Sequence, residues 1–279
     1  GAMAARLEAL GARMRSDFNR WLVPGGVVAG LAHFGPDGVE YFLHPRDHRT
    51  GVAYRLLPMT RGMTSGLFSA EQARRHLALI ERHLTFPDGV RLMNRPMAYH
   101  GGTSRTFKRA ESAASFGREV GLQYVHAHIR YVEAMARIGR PDEAFRGLLA
   151  VCPIGLDLDV PAALPRQANA YISSSDAAFM ERRQASRQFG RIRTGRVGVR
   201  GGWRVYSSGP GIFINQLISN VLGLRTHFDD VVFDPVLPRR ADGLTFDFEY
   251  RGRPVRYLYH VAGAGFSPRE VRVNGRPLP

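Results

Sequence analysis

The sequence predicts a mainly α-helical body followed by a small β tail. Three observations carry this. Apolar residues recur at helical spacing over 4–22 and 109–138, and a strongly apolar helix spans 212–224. From Val231 onward they alternate in short runs separated by turn residues. A length of 279 residues, 44% of them apolar and 23% charged, suffices for about two units at the usual ~100–200 residues per domain.

In chain order, Leu7, Leu10, Met14, Phe18 and Trp21 define the first helix, and Pro24-Gly25-Gly26 stops it. Val27-Val28-Ala29 and Val39-Glu40-Tyr41-Phe42-Leu43 read as strands joined by a Gly35-Pro36-Asp37-Gly38 turn. Ser69 caps the next helix, with Gln72 at the capping-box position, and Pro87-Asp88-Gly89 lies beyond its end near Leu84. The 109–138 stretch sets Tyr124, His128, Tyr131 and Met135 near one face. Gly139 and Pro141 end it, and a shorter helix covers 142–151. After Pro153, Pro161 and Pro165, a helix is expected around Asp176 to Phe189, then an extended or looped stretch over 197–204. Gly223 closes the apolar helix, and strands follow at 231–233, 244–250, 255–261 and 271–273. The chain thus divides into a tag remnant at 1–3, a helix with an inserted hairpin at 4–60, a helical region at 61–226 and a β region at 227–279.

Composition removes several classes. No apolar run approaches the ~20 residues of a membrane span, so no membrane partner is expected. The single cysteine, Cys152, excludes an internal disulfide and a cysteine-based metal centre, and it favours the cytoplasm. Basic residues outnumber acidic ones 39 to 24, for a net charge of +15, yet only Lys108 among them is lysine. That bias fits arginine-rich coding. The tightest runs are pairs such as Arg74-Arg75, Arg182-Arg183 and Arg239-Arg240, without the single basic stripe of a nucleic-acid binder. No nucleic-acid partner is expected.

Three segments carry chemistry. In His126-Ala127-His128 the two rings point to different faces of a helix, which argues against a shared metal; a neutral imidazole beside Arg130 suits an oxyanion instead. The fork of Arg130 either orients an anion or pairs with a carboxylate on the helix surface. Gly201-Gly202-Trp203-Arg204-Val205-Tyr206-Ser207-Ser208-Gly209-Pro210-Gly211 precedes an apolar helix, so it is either an anion cradle or a plain turn. Tyr171-Ile172-Ser173-Ser174-Ser175-Asp176 offers hydroxyls and a carboxylate to a sugar, or caps a helix.

The order of these segments resembles a known family. Glu119-Val120-Gly121-Leu122-Gln123-Tyr124-Val125-His126-Ala127 is similar to the Glu-Asn-Gly-Gly-Gln-Tyr-Thr-His-Ala motif of family 94 glycoside phosphorylases. Ile138-Gly139-Arg140-Pro141-Asp142-Glu143-Ala144 resembles the family's Leu-Gly-x-Gly-Asp-x-Ala, and Asp234-Pro235-Val236-Leu237-Pro238 its Asp-Pro-x-Ile/Leu-Pro. Tyr206 to Gly211 stands where the family has a Thr-Gly-Thr-Ala-Gly-like loop. Leu56-Leu57-Pro58-Met59, Gly117-Arg118-Glu119 and His126 to Tyr131 look most like the 1,2-β-oligoglucan phosphorylase branch. Val120 and Leu122 replace Asn and Gly, and Ser207-Ser208 replace a Thr-containing pair.

The resemblance implies part of an (α/α)6 barrel followed by a jelly-roll-like β domain. It implies inverting phosphorolysis of β-1,2-linked gluco-oligosaccharides, with inorganic phosphate as co-substrate and no cofactor or metal. His126, Ser207, Ser208 and Gly209 would hold phosphate; Glu119, Gln123, Tyr171, Asp176 and Arg130 would face the substrate. The family's general acid lies in an Asp-Trp-Asn-Asp-like motif absent from these residues. The chain therefore looks like the C-terminal third of such an enzyme, inactive alone and completed by its missing N-terminal part or by a homo-oligomer partner. The alternative is a non-catalytic sugar- or phosphate-binding module, or a subunit whose partner chain carries the acid.

Overall fold

In the computed structural model the described residues are 1–99, 101, 105, 107, 111, 123–152, 154–164, 174–201, 208–228, 230–263 and 267–278. Helix α1 (Ala2–Leu22) buries none of its residues. Met3, Leu7, Leu10 and Met14, spaced four, three and four apart along it, are 43–66% exposed. This apolar stripe has no cover among the described residues. Among the described residues the helix is tied down near its end, where Asn19 donates to the Leu67 carbonyl at 3.1 Å and accepts from Gln72 at 2.7 Å.

The expected hairpin is present, with β1 (Leu31–Gly35) and β2 (Gly38–Phe42) antiparallel and Gly35 opposite Gly38. Its first strand lies later than the sequence suggests. Val27, Val28 and Ala29 are buried in the core, and Val28 N–H donates to His76 Nε2 while Ala29 N–H donates to the Leu22 carbonyl. Those donors are therefore taken before a ladder can use them.

Helix α2 (Leu56–Thr64) precedes α3 (Ala70–His83), whose start is the expected capping box: Ser69 Oγ accepts from Gln72 N–H, and Gln72 Oε1 accepts from Ser69 N–H. Ala73, His76, Leu77 and Ile80 form its buried face. Strands β3 (Thr85–Phe86) and β4 (Gly89–Val90) make a short hairpin around Pro87-Asp88.

Strand β5 (Gln123–Tyr124) leads into α4 (Val125–Arg137), the hub of the helical body. Nine of its residues are buried, so it is enclosed nearly all round. Gly139, at φ 70°, reverses the chain into α5 (Pro141–Leu149), with Pro141 in the first turn where no N–H is needed. The two helices approach closely at Gly147, where a Cβ would lie 2.7 Å from a Val132 methyl.

After α6 (Leu156–Asp159), the helix expected from Asp176 begins instead at Arg182, as α7 (Arg182–Gln188) capped by Glu181. Ser174–Ala177 is strand β6, because its backbone pairs with β5 on one side and with β7 (Val199–Gly201) on the other. Helix α8 (Ser208–Gln216) starts four residues before the apolar run and continues as a π-helical turn over Leu217–Val221. Pro210 falls in the first turn of α8, where it removes no intrahelical bond.

The tail comprises β8 (Leu224–His227) with β9 (Asp230–Phe233), β10 (Thr245–Tyr250) with β11 (Arg253–Leu258), and β12 (Arg272–Val273) with β13 (Arg276–Pro277). These are separate antiparallel pairs, so the described tail does not form one jelly roll; nor do the described helices close a barrel by themselves. The Asp234-to-Pro238 motif is structural: Val236 and Leu237 enter the main core, and Asp234 N–H donates to the Gly223 carbonyl. Gly223 is at φ 72°, and a Cβ there would lie 2.2 Å from the Asp234 backbone. No helix among the described residues is long and apolar enough to cross a membrane.

Candidate functional site

One small sheet holds the described ends of two of the segments that carry chemistry and leads into the helix that carries the third. Gln123 lies opposite Ser175 and Tyr124 opposite Ser174, while Ser175 lies opposite Gly201 and Asp176 opposite Arg200. Because β6 is antiparallel to both neighbours, β5 and β7 run in the same direction. The register therefore fixes one end of the sheet, at which β5 passes into α4 with His126, β6 begins at Ser174, and β7 ends at Gly201. Helix α8 also packs against α4, sharing an apolar cluster of Val125, Ile129 and Val151 with Ile212 and Phe213.

His126 sits in the first turn of α4, half-buried, with its ring stacked 6.0 Å from Tyr124. Burial holds its pKa below the ordinary histidine value, and the nearby charges of Arg130 and Arg61 push it further down. A neutral imidazole beside two guanidinium groups keeps one ring N–H to donate and leaves the positive field to attract an anion. Arg130 Nη1 pairs with Glu133 at 2.7 Å, and both side chains are 25% exposed. Its Nε is buried without a hydrogen-bond partner among the described residues. Arg130 thus combines the surface ion pair with a donor still to be satisfied.

His128 does something else. Its Nδ1 accepts from Val90 N–H at 2.9 Å, so Nε2 carries the proton and donates to the Gly147 carbonyl at 2.6 Å. It is fully engaged and buried, and burial lowers its pKa. The two histidines do face different ways, and among the described residues no group of three His, Cys, Asp or Glu is arranged around a metal ion.

Gln123 is buried, and its amide nitrogen donates to the Asp88 carbonyl at 3.1 Å, so that nitrogen is not open to a ligand. Asp176 is half-buried on β6 rather than at a helix start. Gly209 is buried at the beginning of α8, and Ser208 opens that helix. Glu119, Tyr171 and Ser207, like the Ser208 side chain, lie outside the described residues. Arg61, Asp88 and Arg91 were not singled out by sequence reasoning: Arg61 belongs to no chemical motif, and Pro87-Asp88-Gly89 reads as a mere helix breaker.

Residues 223–279 match the family described as the glycoside phosphorylase C-terminal domain. Over 276 residues, 98% of its length, the chain is 46% identical to a 1,2-β-oligoglucan phosphorylase of Listeria innocua serovar 6a, and it spans 25% of that protein. Over 135 residues, 48% of its length, it is 27% identical to the cyclic β-(1,2)-glucan synthase NdvB of Rhizobium meliloti, of which it spans 4%.

Proposed function

This chain is a relative of the glycoside phosphorylases, and on that premise we propose that it forms the C-terminal part of an inverting phosphorylase of β-1,2-linked gluco-oligosaccharides. The observation that supports the proposal is the β5–β6–β7 register, which sets Ser174 and Gly201 at the sheet end from which the helix carrying His126 departs. In the reaction a phosphate oxygen attacks the anomeric carbon from the face opposite the glycosidic bond. That bond breaks, the leaving sugar oxygen takes a proton, and inversion of the β-linkage gives α-glucose 1-phosphate.

The chemistry suits these residues. Phosphate is already a nucleophile, so it needs orientation and charge compensation rather than a carboxylate base. In this proposal the neutral imidazole of His126, Ser207, Ser208 and the Gly209 backbone hold it, with Arg130 adding positive field. Glu119, Tyr171 and Asp176 face the sugar, within the (α/α)6 barrel of a family 94 enzyme. An inverting hydrolase would instead place a second carboxylate to activate water.

The general acid comes from polypeptide outside these residues, in the same chain or in a partner. The uncovered stripe of Leu7, Leu10 and Met14 supports this, since a contiguous apolar face marks a surface that another element covers. The test is product analysis of the full-length enzyme given inorganic phosphate and 1,2-β-oligoglucan. Phosphate-dependent release of α-glucose 1-phosphate is expected; release of free glucose with no consumption of phosphate would overturn the proposal.

A further inference from the structure

Behind the candidate site lies a buried charge pair with no role in the chemistry above. Asp88 lies in the turn of the β3–β4 hairpin and Arg91 directly follows β4; their side chains are 1% and 0% exposed, with Arg91 Nη2 donating to Asp88 Oδ2 at 2.8 Å. The pair reaches the site strands from both sides. Arg91 Nη1 points to the Ser175 carbonyl of β6 at 3.5 Å, and the Asp88 carbonyl accepts from Gln123 Nε2 of β5. The next residues lock the hairpin onto α4, since Val90 N–H donates to His128 Nδ1. At Gly89, with φ 112°, a Cβ would lie 2.8 Å from the His128 ring and 3.1 Å from Gln123 Nε2. The Phe86 ring sits 5.0 Å below the Arg91 guanidinium.

Taking two charges out of water is costly, and a well-packed apolar pair of similar size is often as stable. A fixed fork does what an apolar pair cannot: it sets direction at two places at once. We propose that Asp88 and Arg91 are positioning residues for the sugar side of the site, holding β6 in register with β5 so that Asp176 on β6 is placed for the substrate. This rests on the phosphorylase proposal and extends it to residues that touch no reactant. His126 projects from a different face of α4 than His128, so the phosphate side is expected to respond less than the sugar side.

The test uses the full-length enzyme with Arg91→Lys, which keeps the charge but loses the fork, and the paired change Asp88→Asn with Arg91→Met, which removes both charges. Affinity for a 1,2-β-linked glucotriose is measured by calorimetry, alongside KM for phosphate, kcat and the melting temperature. In both variants, affinity for the glucotriose and kcat/KM for oligoglucan are expected to fall about ten- to a hundredfold, as for a misplacement near 1 Å. KM for phosphate is expected to stay within about twofold, a split that general loss of folded protein does not produce. Unchanged glucotriose affinity in Arg91→Lys would overturn the proposal, as would activity falling only in step with the melting temperature while both affinities hold. If the parent enzyme binds glucotriose but releases no sugar 1-phosphate, the phosphorylase proposal fails and the calorimetric arm still decides the role of the pair. A parent that does not bind the glucotriose overturns both.

Discussion

The Nε2–H of His128 donates to the Gly147 carbonyl at 2.6 Å, at the place where a Val132 methyl leaves no room for a Cβ on Gly147. One contact thus fixes both the spacing of α4 and α5 and the tautomer of the histidine. Through Nδ1 the same ring holds the β3–β4 hairpin. Gly147→Ala is expected to overpack this crossing and destabilise the protein by about 1–3 kcal/mol. His128→Leu leaves the Val90 N–H and the Gly147 carbonyl without their partner, at about 1–3 kcal/mol for each buried group. Urea unfolding of each variant measures both.

Acid should weaken the fold before its carboxylates protonate. His76 and His128 are both neutral in the folded protein, since each accepts a backbone N–H on one ring nitrogen and faces a backbone carbonyl with the other. Burial lowers both pKa values, so the unfolded chain binds more protons than the folded one below the ordinary value of about 6.5. Stability is then fully present above that value and lost as the pH falls beneath it. Melting temperature followed from pH 8 to pH 5 is expected to stay level and then decline, and the decline should be shallower in His128→Gln.

Phosphate binding should not require a protonated His126. Burial and the charges of Arg130 and Arg61 keep its pKa below the ordinary value of about 6.5, so the neutral ring predominates above that pH. In the full-length enzyme, KM for phosphate, corrected for the ionisation of phosphate itself, is expected to be flat between about pH 6.5 and 8. A steep loss of affinity on raising the pH through this range would show that an imidazolium is needed.

Gly223 holds the tail to the body. With φ at 72° and the Asp234 backbone 2.2 Å from any Cβ, Gly223→Ala must displace the Asp234-Pro235 backbone. The destabilisation is expected to exceed the ~1 kcal/mol that a glycine-to-alanine change gains at a site whose backbone alanine can adopt. Limited proteolysis should then cut near 223–238 sooner than in the unsubstituted chain.

Local signals in the sequence were legible where one residue type has one use. Ser69 with Gln72 marks a helix start, Gly139 with Pro141 a reversal, and Gly35 to Gly38 a hairpin turn, and each is found there. Strand β6 was not legible, because Ser174-Ser175-Asp176 suits a cap as well as a ladder and only the distant β5 and β7 decide. The same long-range pairing hid the roles of Asp88 and Arg91. His126 was visible beside Arg130, but the arrival of Arg61 from α2 depends on helix packing that no local pattern encodes.

The proposed phosphorylase role, with the general acid outside these residues, is tested directly by a coupled assay of sugar 1-phosphate release. The 279-residue chain is compared with a longer polypeptide that adds the region preceding it in the Listeria relative, each given phosphate and 1,2-β-oligoglucan. The longer polypeptide is expected to release glucose 1-phosphate and to lose that activity on His126→Ala. The shorter one should release none, since a positioned acid alone contributes about 10²–10⁴-fold. Turnover by the isolated chain at an ordinary enzymatic rate, abolished by Asp176→Asn, would contradict the claim and place the acid on β6.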